Sequence, residues 1–340
     1  MKITVLGAGA WGTALASRFA ANASHEVTLW GRDSELIDAI NRDLRNDHYL
    51  PGIALAPSLH ATFDLQAAVD ARDVIILGAP IAATQSLLAQ IPETNRAPIL
   101  SLSKGFIAPE SANAHVGLLP EVLASAARHA VKHASHVKTG LLSGPSFAGE
   151  TARGLPLALV CAMRDIEDAK MLAHALRDPA MRVYASDDVV GVAVCGAVKN
   201  VFAIAAGISD GFQLGANARA ALVTRGLAEL RRLVQACGGN IDTVSGLAGI
   251  GDVLLTTTGD ASRNRRVGLE LASGKTLQEI LSTLGHVAEG VNAARLTRTL
   301  AAQHGIEMPI SAAVATLLDG DITPKAAIEQ LLTRRPRAEF

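Results

Sequence analysis

Apolar and polar positions follow two different patterns along the chain. In the first half, short runs of apolar and β-branched residues alternate with longer stretches whose apolar positions recur at helical spacing. Strands that alternate with helices in this way are typical of βαβ units around a parallel sheet. We predict strands at Lys2–Leu6, Glu26–Trp30, Val74–Leu77, Ile99–Ser101, 140–142 and 158–162, and helices at 11–22, 33–44, 81–91 and 116–130.

The second half reads as helices. Strand-like runs fade after about Tyr184, and from Val189 onward apolar stretches rich in Ala and Leu are punctuated by glycines. Because 340 residues exceed the usual size of one hydrophobic core, we predict two domains. We place an α/β domain with a doubly wound sheet at residues 1–187 and a mostly α-helical domain at residues 188–340.

Two apolar segments resemble targeting or membrane signals. The N-terminal segment imitates a secretory signal peptide, but Gly7, Gly9 and Gly12 interrupt it. Residues 189–209 are nearly long enough for the roughly 20 apolar residues of a membrane span. Lys199 lies at the middle of that segment, where lipid disfavours a charge. We therefore predict a buried core helix there and no stable membrane insertion.

Composition excludes several function classes. Lys and Arg number 31 and Asp and Glu 32, so no net field attracts nucleic acid or an anionic membrane. Any affinity for phosphate must therefore come from a local site. Cys161, Cys195 and Cys237 are far apart and lack the spacing of a disulfide framework or a zinc site. We predict a cytoplasmic protein that has no metal and no nucleic-acid partner.

A glycine motif follows the first predicted strand. Lys2–Leu6 runs directly into Gly7-Ala8-Gly9-Ala10-Trp11-Gly12, and a helical pattern begins there. In this context the first glycine permits a tight turn, the second lets the backbone approach a pyrophosphate, and the third lets the helix close on the strand. The helix N-terminus then offers N–H groups and partial positive charge to the phosphates. We predict a Rossmann-type dinucleotide-binding domain, in which Gly7, Gly9 and Gly12 contact the cofactor.

Cofactor preference is usually encoded at the end of the second strand. An acidic residue there favours the ribose hydroxyls of NAD, and an arginine accepts the extra phosphate of NADP. The sequence at this point is Trp30-Gly31-Arg32-Asp33. Asp33 also has the context of an N-cap for the next helix, which leaves Arg32 as the more available group. We predict that the chain uses NADP or NAD, with NADPH slightly favoured.

Lys199 is the charged residue of the apolar stretch 192–202. Burying an ammonium is unfavourable unless it is paired, and desolvation favours the neutral amine. A lysine in this setting can donate a proton to a carbonyl oxygen as hydride reaches the carbon, and can accept it in the reverse reaction. The alternative is a lysine at a helix rim whose side chain extends to water.

Polar residues among glycines follow two of the predicted strands. Lys104 comes just after Ile99–Ser101, and Gly144 and Ser146 come just after the strand at 140–142. Ligands of open α/β sheets bind at the carboxyl ends of the strands. These residues can therefore offer an ammonium, backbone N–H groups and a hydroxyl to substrate oxygens. Ordinary turn chemistry is the alternative for the second group.

Two further polar features lie in the predicted helical domain. A glycine-rich stretch ends in Asp252, which can orient Lys199 or bind a hydroxyl, with an N-cap as the competing role. Ser262-Arg263-Asn264-Arg265-Arg266 is the densest basic cluster. A guanidinium with neighbouring hydroxyl and amide donors suits a phosphate, because it can bind two oxygens at once. For Arg265 and Arg266 we favour a solvated basic turn.

Together these motifs resemble the bacterial type of NAD(P)-dependent glycerol-3-phosphate dehydrogenase. The similarity covers most of the chain, and the order and spacing of the motifs are more specific than any one of them. The matching stretches are 7–16, Tyr49-Leu50-Pro51-Gly52, Ser103-Lys104-Gly105, 143–148, 196–200, 209–211, 215–229, 246–252, 262–266 and Glu289-Gly290. The resemblance implies a Rossmann domain followed by a helical domain.

The resemblance also implies an activity and a set of site residues. The activity is the reversible NAD(P)H-dependent reduction of dihydroxyacetone phosphate to sn-glycerol 3-phosphate, which supplies the glycerol phosphate backbone for phospholipid synthesis. Lys199 and Asp252 are implied as catalytic residues. The implied substrate contacts are Lys104, Gly144, Ser146, Lys199, Asp252, Ser262, Arg263 and Asn264. Besides the motif glycines Gly7, Gly9 and Gly12, the implied cofactor contacts are Trp11, Arg32, Lys104, Ala148, Arg263, Val287 and Glu289.

The sequence departs from the family pattern at a few positions. Leu157 and Ile81 stand where the family usually has hydroxyl residues, so we expect minor contacts to differ. Ala288 replaces a common valine. None of these departures touches a predicted catalytic group.

Two other functions remain as alternatives. A β-hydroxyacid dehydrogenase or a ketopantoate reductase has a similar two-domain plan but binds a carboxylate in place of the phosphate. Asn200 directly follows Lys199 here, whereas the β-hydroxyacid pattern places the asparagine further along. A redox-sensing regulator would need a DNA-reading or partner-binding module, and the sequence has no basic recognition helix. The oligomeric state is left open, and a homodimer is compatible with the sequence.

Overall fold

The chain forms two compact units. The computed structural model describes residues 1–92, 94–109, 115–130, 137–284 and 289–335. The first unit consists of Met1–Lys104 and Leu118–Ala193, and the second of Gly105–Gly117 and Val194–Phe340. The predicted division into residues 1–187 and 188–340 stays a proposal.

Strands and helices alternate in the first unit, and helices dominate the second. In the described residues the strands are β1 Lys2–Leu6, β2 Glu26–Trp30, β3 His60–Thr62, β4 Val74–Leu77, β5 Ile99–Ser101, β6 Phe106–Ile107, β7 Gly117–Leu118, β8 Thr139–Ser143, β9 Leu157–Met163 and β10 Met181–Ser186. The helices of the first half are α1 Ala10–Ala20, α2 Ser34–Asp43, α3 Leu65–Val69, α4 Ile81–Leu88, α5 Leu119–Ala130, α6 Ala148–Ala152 and α7 Ile166–Leu176. The later helices are α8 Val189–Gly211, α9 Gly215–Ala236, α10 Asp252–Thr258, α11 Arg263–Ala272, α12 Leu277–Leu284, α13 Glu289–Gln303, α14 Pro309–Leu318 and α15 Pro324–Leu332.

The first unit is built around an eight-stranded sheet with the strand order β3-β2-β1-β4-β5-β8-β9-β10. The central strand β4 is wholly apolar and buried, and all of β1 after Lys2 is buried, as expected where helices cover both faces of a sheet. The order reverses between β1 and β4, which is the switch point at which open α/β sheets bind ligands. The fold therefore directs attention to the turns that leave the carboxyl ends of these two strands.

The α/β fold class is confirmed, and so are the bounds of β1, β2, β4 and β5. The expectation of a parallel sheet needs correction, because β8 and β9 are antiparallel. Hydrophobic periodicity identifies a strand but carries no information on its direction. The structure also adds β3 and β10, which the sequence pattern did not predict. β3 has only three residues, and most side chains of β10 are not fully buried, so neither produces a clear apolar run.

The helix α8 packs closely on its neighbours in the second unit. It is long and apolar enough to cross a membrane, but 89% of its most apolar 18-residue stretch is buried inside the protein, as in a core helix. A Cβ on Gly207 would collide with the carbonyl of Arg265, and a Cβ on Gly268 with that of Ile204. The backbones of α8 and α11 therefore touch at these two glycines, which aligns the beginning of α11 with the middle of α8.

Candidate active site

The glycine turn after β1 has the geometry that the motif predicts. Gly7 has φ +130°, which is favourable only for glycine, and its N–H donates to the carbonyl of Trp30 at 2.8 Å. A Cβ on Gly7 would lie 2.8 Å from the backbone that follows β4, and a Cβ on Gly12 would collide with the carbonyl of Gly7. Both glycines are thus required for the turn to close at the β1–β4 switch point.

The same turn has room and donors for a dinucleotide. A Cβ on Gly9 would meet nothing within 4 Å, so the backbone can be approached there by a ligand. Gly9 is also the N-cap of α1, and no side chain caps this helix end. The first N–H groups of α1, together with the helix dipole, can therefore accept an anionic group. The residues present fit a pyrophosphate.

The residues after β2 have separate roles. The side chain of Asp33 caps α2 by accepting the N–H of Leu36 at 3.1 Å, so the N-cap interpretation is confirmed. Arg32 is exposed, and it makes no ion pair with any residue that the structure describes. Its guanidinium is available to a phosphate at this edge of the sheet.

The turns after β5 and β8 converge on one carbonyl group. Lys104 Nζ donates to the carbonyl of Gly144 at 3.0 Å, and Ser146 Oγ donates to the same oxygen at 2.9 Å. Ser103 Oγ donates to the carbonyl of Ala79 at 2.7 Å and so joins the turn after β5 to the turn after β4. The structure therefore brings three predicted substrate residues, Lys104, Gly144 and Ser146, into direct contact.

Lys199 is buried and paired. Its Nζ lies 2.5 Å from Oδ1 of Asp252 and 3.1 Å from Oγ1 of Thr256. Lys199 is 9% exposed and Asp252 is 0% exposed. The alternative of a lysine that extends to water at a helix rim is therefore wrong. A buried carboxylate favours the charged ammonium and holds it in one place, which prepares it to donate a proton.

The chain that leads to Asp252 has an unusual backbone. The segment Leu247–Gly251 is a π-helical turn, and Gly249 within it has φ −91° and ψ −106°. A Cβ on Gly249 would collide with the backbone of Val244. The N-cap of α10 is Gly251 and Asp252 is the first residue of that helix, so the competing N-cap role for Asp252 is wrong. Irregular turns of this kind often occur at functional sites, and here the turn delivers a carboxylate to Lys199.

The basic cluster at the beginning of α11 is not uniformly solvated. Arg265 is largely buried and pairs with Asp210 at 2.7 Å and with Asp260 at 3.0 Å, so the prediction of a solvated Arg265 is wrong. Arg266 is exposed and pairs with Glu270, four residues along the same helix. Within the described part of the chain, Arg263 is exposed and has no ion-pair partner.

The neighbours of Arg263 are held by hydrogen bonds. The hydroxyl oxygen of Ser262 accepts the N–H of Arg265 at 3.2 Å and caps α11, which leaves its own hydrogen free to donate. Asn264 donates to Oδ1 of Asn200 at 2.9 Å and accepts the N–H of Gly290 at 3.2 Å. One N–H of the Asn264 amide remains for another acceptor.

The other predicted cofactor residues are distributed over both units. Trp11 and Ala148 pack on the same small cluster of buried side chains in the first unit. Glu289 is the first residue of α13 in the second unit and is half-buried. Val287 lies outside the described residues.

Comparison with known proteins identifies the family. The chain matches the family models for NAD-dependent glycerol-3-phosphate dehydrogenase, the N-terminal model at residues 2–169 and the C-terminal model at residues 188–329. The chain belongs to this family. A glycerol-3-phosphate dehydrogenase (NAD(P)+) of Polaromonas naphthalenivorans is 49% identical over 352 residues, which cover 100% of this chain and 99% of that protein.

Solved structures support the membership. A glycerol-3-phosphate dehydrogenase from Coxiella burnetii superposes with a TM-score of 0.88 at 39% identity and covers 98% of this chain and 99% of its own. A ketopantoate reductase from Ralstonia eutropha covers 97% of this chain and 100% of its own, with a TM-score of 0.58 and 20% identity. The second likeness shows a common fold only.

Some residues that contact the predicted site residues were missed by the motifs. Thr256 follows Asp252 by one helical turn and so shares its face of α10, a spacing that could have identified it. Asn200, which adjoins Lys199, was used only to separate two families. Asp210 was singled out for its motif, but its pairing with Arg265 has no signal in local sequence.

Proposed function

We propose that this chain catalyses the NAD(P)H-dependent reduction of dihydroxyacetone phosphate to sn-glycerol 3-phosphate, and the reverse reaction. The observation that carries the proposal is the buried Lys199 ammonium, held by Asp252 and Thr256 in a helical unit that accompanies a dinucleotide-type sheet. Family membership supports the same conclusion.

Lys199 is the proposed proton donor. As hydride reaches the carbonyl carbon of the substrate, the oxygen becomes an alkoxide, and a proton from Lys199 Nζ neutralises it. Asp252 and Thr256 orient the ammonium and keep it charged until that transfer. In the reverse reaction the neutral amine takes the proton back from the alcohol.

The first unit is proposed to hold the cofactor, which supplies or accepts the hydride. Gly7, Gly9 and Gly12 shape the turn that receives the pyrophosphate, and Arg32 is proposed to contact the extra phosphate of NADP. Trp11, Lys104, Ala148, Arg263, Val287 and Glu289 are further proposed cofactor contacts.

Arg263 is proposed to bind the substrate phosphate. An exposed guanidinium at the N-terminus of α11, between the hydroxyl of Ser262 and the amide of Asn264, offers several donors to one phosphate group. Its neighbours Arg265 and Arg266 are already paired with carboxylates, so they are less suited to this role. Lys104, Gly144 and Ser146 are proposed to contact the remaining oxygens of the substrate.

The setting of the reaction follows from this activity. We propose that the enzyme acts in the cytoplasm, and that its product supplies the backbone for phospholipid synthesis. It needs neither a nucleic acid nor a membrane as partner, and a homodimer is compatible with the proposal.

The activity is tested by comparing substrates. The purified protein should consume NADPH when dihydroxyacetone phosphate is added, measured as loss of NADPH absorbance, and should turn over ketopantoate and short β-keto acids far more slowly. A preference for either carboxylate substrate would overturn the proposal in favour of the related dehydrogenases.

The phosphate assignment is tested at Arg263. Arg263→Ala should reduce kcat/KM for dihydroxyacetone phosphate by about 10- to 100-fold, because a charged hydrogen-bonded contact is lost. With NADPH saturating, so that a weaker cofactor contact at Arg263 does not enter, its kcat/KM for unphosphorylated dihydroxyacetone should change little. Arg266→Ala is the matched control, since Arg266 is an exposed arginine of the same helix and should leave both values nearly unchanged. An equal loss for both substrates in Arg263→Ala would show that Arg263 does not recognise the phosphate.

A further inference from the structure

Asn46 lies in the segment between α2 and β3, far in sequence from the glycine turn. Its side chain is completely buried. Its Nδ2 donates to the carbonyl of Ala8 at 2.9 Å and to Oγ1 of Thr13 at 2.8 Å, and its Oδ1 accepts the N–H of Tyr49 at 3.3 Å. A side-chain amide has two N–H hydrogens, so both are used on the dinucleotide turn.

The bond to Ala8 sets the direction of the next N–H group. Ala8 lies between Gly7 and Gly9, and the described chain contains no cis peptide bond. In a trans peptide the C=O and N–H groups point in opposite directions. A carbonyl of Ala8 that is held toward Asn46 therefore turns the Gly9 N–H away from Asn46. Gly9 is also the position where the missing side chain leaves open space.

The bond to Thr13 fixes the other side of the turn. Thr13 is fully buried, and its N–H makes the first helical hydrogen bond of α1, to the carbonyl of Gly9 at 2.9 Å. One side chain thus holds a residue before the helix and a residue in its first turn. The N–H groups at the beginning of α1 can then keep one direction, which matters because they are proposed to meet the pyrophosphate.

We propose that Asn46 is a positioning residue for the dinucleotide, which aims the Gly9 N–H and the N-terminus of α1 at the pyrophosphate without touching it. The proposal rests on the cofactor site of the proposed function and extends it beyond the glycine motif. Since the pyrophosphate is common to both cofactors, loss of Asn46 must weaken NADPH and NADH alike.

The main test is Asn46→Leu, which removes all three hydrogen bonds and introduces no charge. The dissociation constants of NADPH and NADH should both rise at least about tenfold, because a buried carbonyl and a buried hydroxyl lose their donor. The kcat at saturating cofactor and the KM for dihydroxyacetone phosphate should change less than about threefold. A role in stability alone would lower the melting temperature and leave both dissociation constants unchanged.

Asn41→Leu is the matched control. Asn41 is also an asparagine that binds two backbone groups, since its amide exchanges hydrogen bonds with the N–H and C=O of Ala61 in β3. It does not contact the glycine turn. Its substitution should lower the melting temperature without changing the affinity for either cofactor.

A second variant keeps the test decisive if Asn46→Leu does not fold. Thr13→Val removes only the hydroxyl that accepts from Asn46 and preserves the shape of the side chain, so cofactor affinity should fall by about threefold. Unchanged affinity in a folded Asn46→Leu, or in Thr13→Val when the first variant does not fold, would overturn the proposal. If the unmodified protein binds neither cofactor, the proposed function itself fails, which is a separate outcome.

Discussion

The dinucleotide turn and the Lys199–Asp252 pair are built in contrasting ways. The turn is a contiguous stretch that would bind its ligand through backbone N–H donors, and it can close because its glycines have no side chains. The pair consists of two side chains from α8 and α10, which lie 53 residues apart in sequence. The first site depends on steric exclusion, and the second on compensation of buried charge. Substitutions should therefore affect them differently.

The largest effect is expected at the side-chain site. Lys199→Met should lower kcat by roughly 100- to 10,000-fold, because the proton donor is lost, and should leave the dissociation constant of NADPH nearly unchanged. Steady-state kinetics measures the loss of kcat, and a binding titration measures the dissociation constant of NADPH. Lys170→Met, which removes an exposed lysine that pairs with Glu167 on α7, is the control and should have almost no effect.

Lys199→Met also leaves a buried carboxylate without its cation, which can destabilise a protein by about 3–5 kcal/mol. The double variant Lys199→Met/Asp252→Asn removes that charge and should regain stability without regaining activity. Near-normal turnover by either folded variant would refute the proton-donor role.

The backbone site is tested with two alanines. Gly12→Ala places a methyl group against the carbonyl of Gly7, and overpacking of this kind costs about 1–3 kcal/mol, so both the melting temperature and cofactor affinity should fall. Gly9→Ala has open space and an ordinary φ of −73°, so the melting temperature should hold while cofactor affinity falls by about tenfold. Equal melting temperatures and equal affinities for the two variants would contradict the steric account of the turn.

A second buried carboxylate sharpens the comparison. Backbone N–H groups hold this carboxylate, whereas a lysine side chain holds Asp252. Glu229 on α9 accepts the N–H groups of Ile310 at 2.6 Å and Ser311 at 3.2 Å, at the beginning of α14. Burial raises the pKa of Glu229 to about 7, although these hydrogen bonds act to lower it. The folded state therefore holds the proton more tightly than the unfolded state does.

The sign of the pH effect follows. The stabilisation from Glu229 is fully present below its unfolded pKa near 4.5 and is lost as the pH rises through about 7. The full loss is on the order of 3 to 4 kcal/mol, since the pKa rises from 4.5 to about 7 and each tenfold change in a protonation equilibrium is about 1.4 kcal/mol. Urea unfolding between about pH 5 and about pH 8 should show this decline in the unmodified protein. Glu229→Gln should abolish this component, and an identical slope in both proteins would exclude Glu229 as its source.

The smallest effect is expected at Arg32, at the exposed edge of the cofactor site. Arg32→Ala should raise the KM for NADPH by about three- to tenfold and leave the KM for NADH nearly unchanged, because only NADPH has the extra phosphate. Initial rates measured with each cofactor give the ratio of the KM for NADPH to the KM for NADH. Parallel increases would mean that Arg32 supports the fold or the shared adenosine and does not read the phosphate.

Local features of sequence predicted much of this fold. The bounds of β1 and β4 follow from buried apolar runs ended by glycines, and the cap of α2 follows from Asp33 before a helical pattern. The antiparallel direction of β9 relative to β8 was not predictable, because the pattern of apolar residues in a strand carries no information on the direction of that strand. The burial of Arg265 was also not predictable, since its partner Asp210 belongs to another helix.

By itself the sequence determined the α/β class, the position of the dinucleotide turn and the candidate proton donor. Glycine spacing and a lysine within an apolar run are patterns among residues that are close together in sequence, so they can be recognised without the fold. Tertiary structure decided which carboxylate pairs with Lys199, which arginine of the α11 cluster stays unpaired among the described residues, and that Asn46 holds the glycine turn. These contacts join residues that are distant in sequence. Only the packing of strands and helices brings such residues within hydrogen-bond distance.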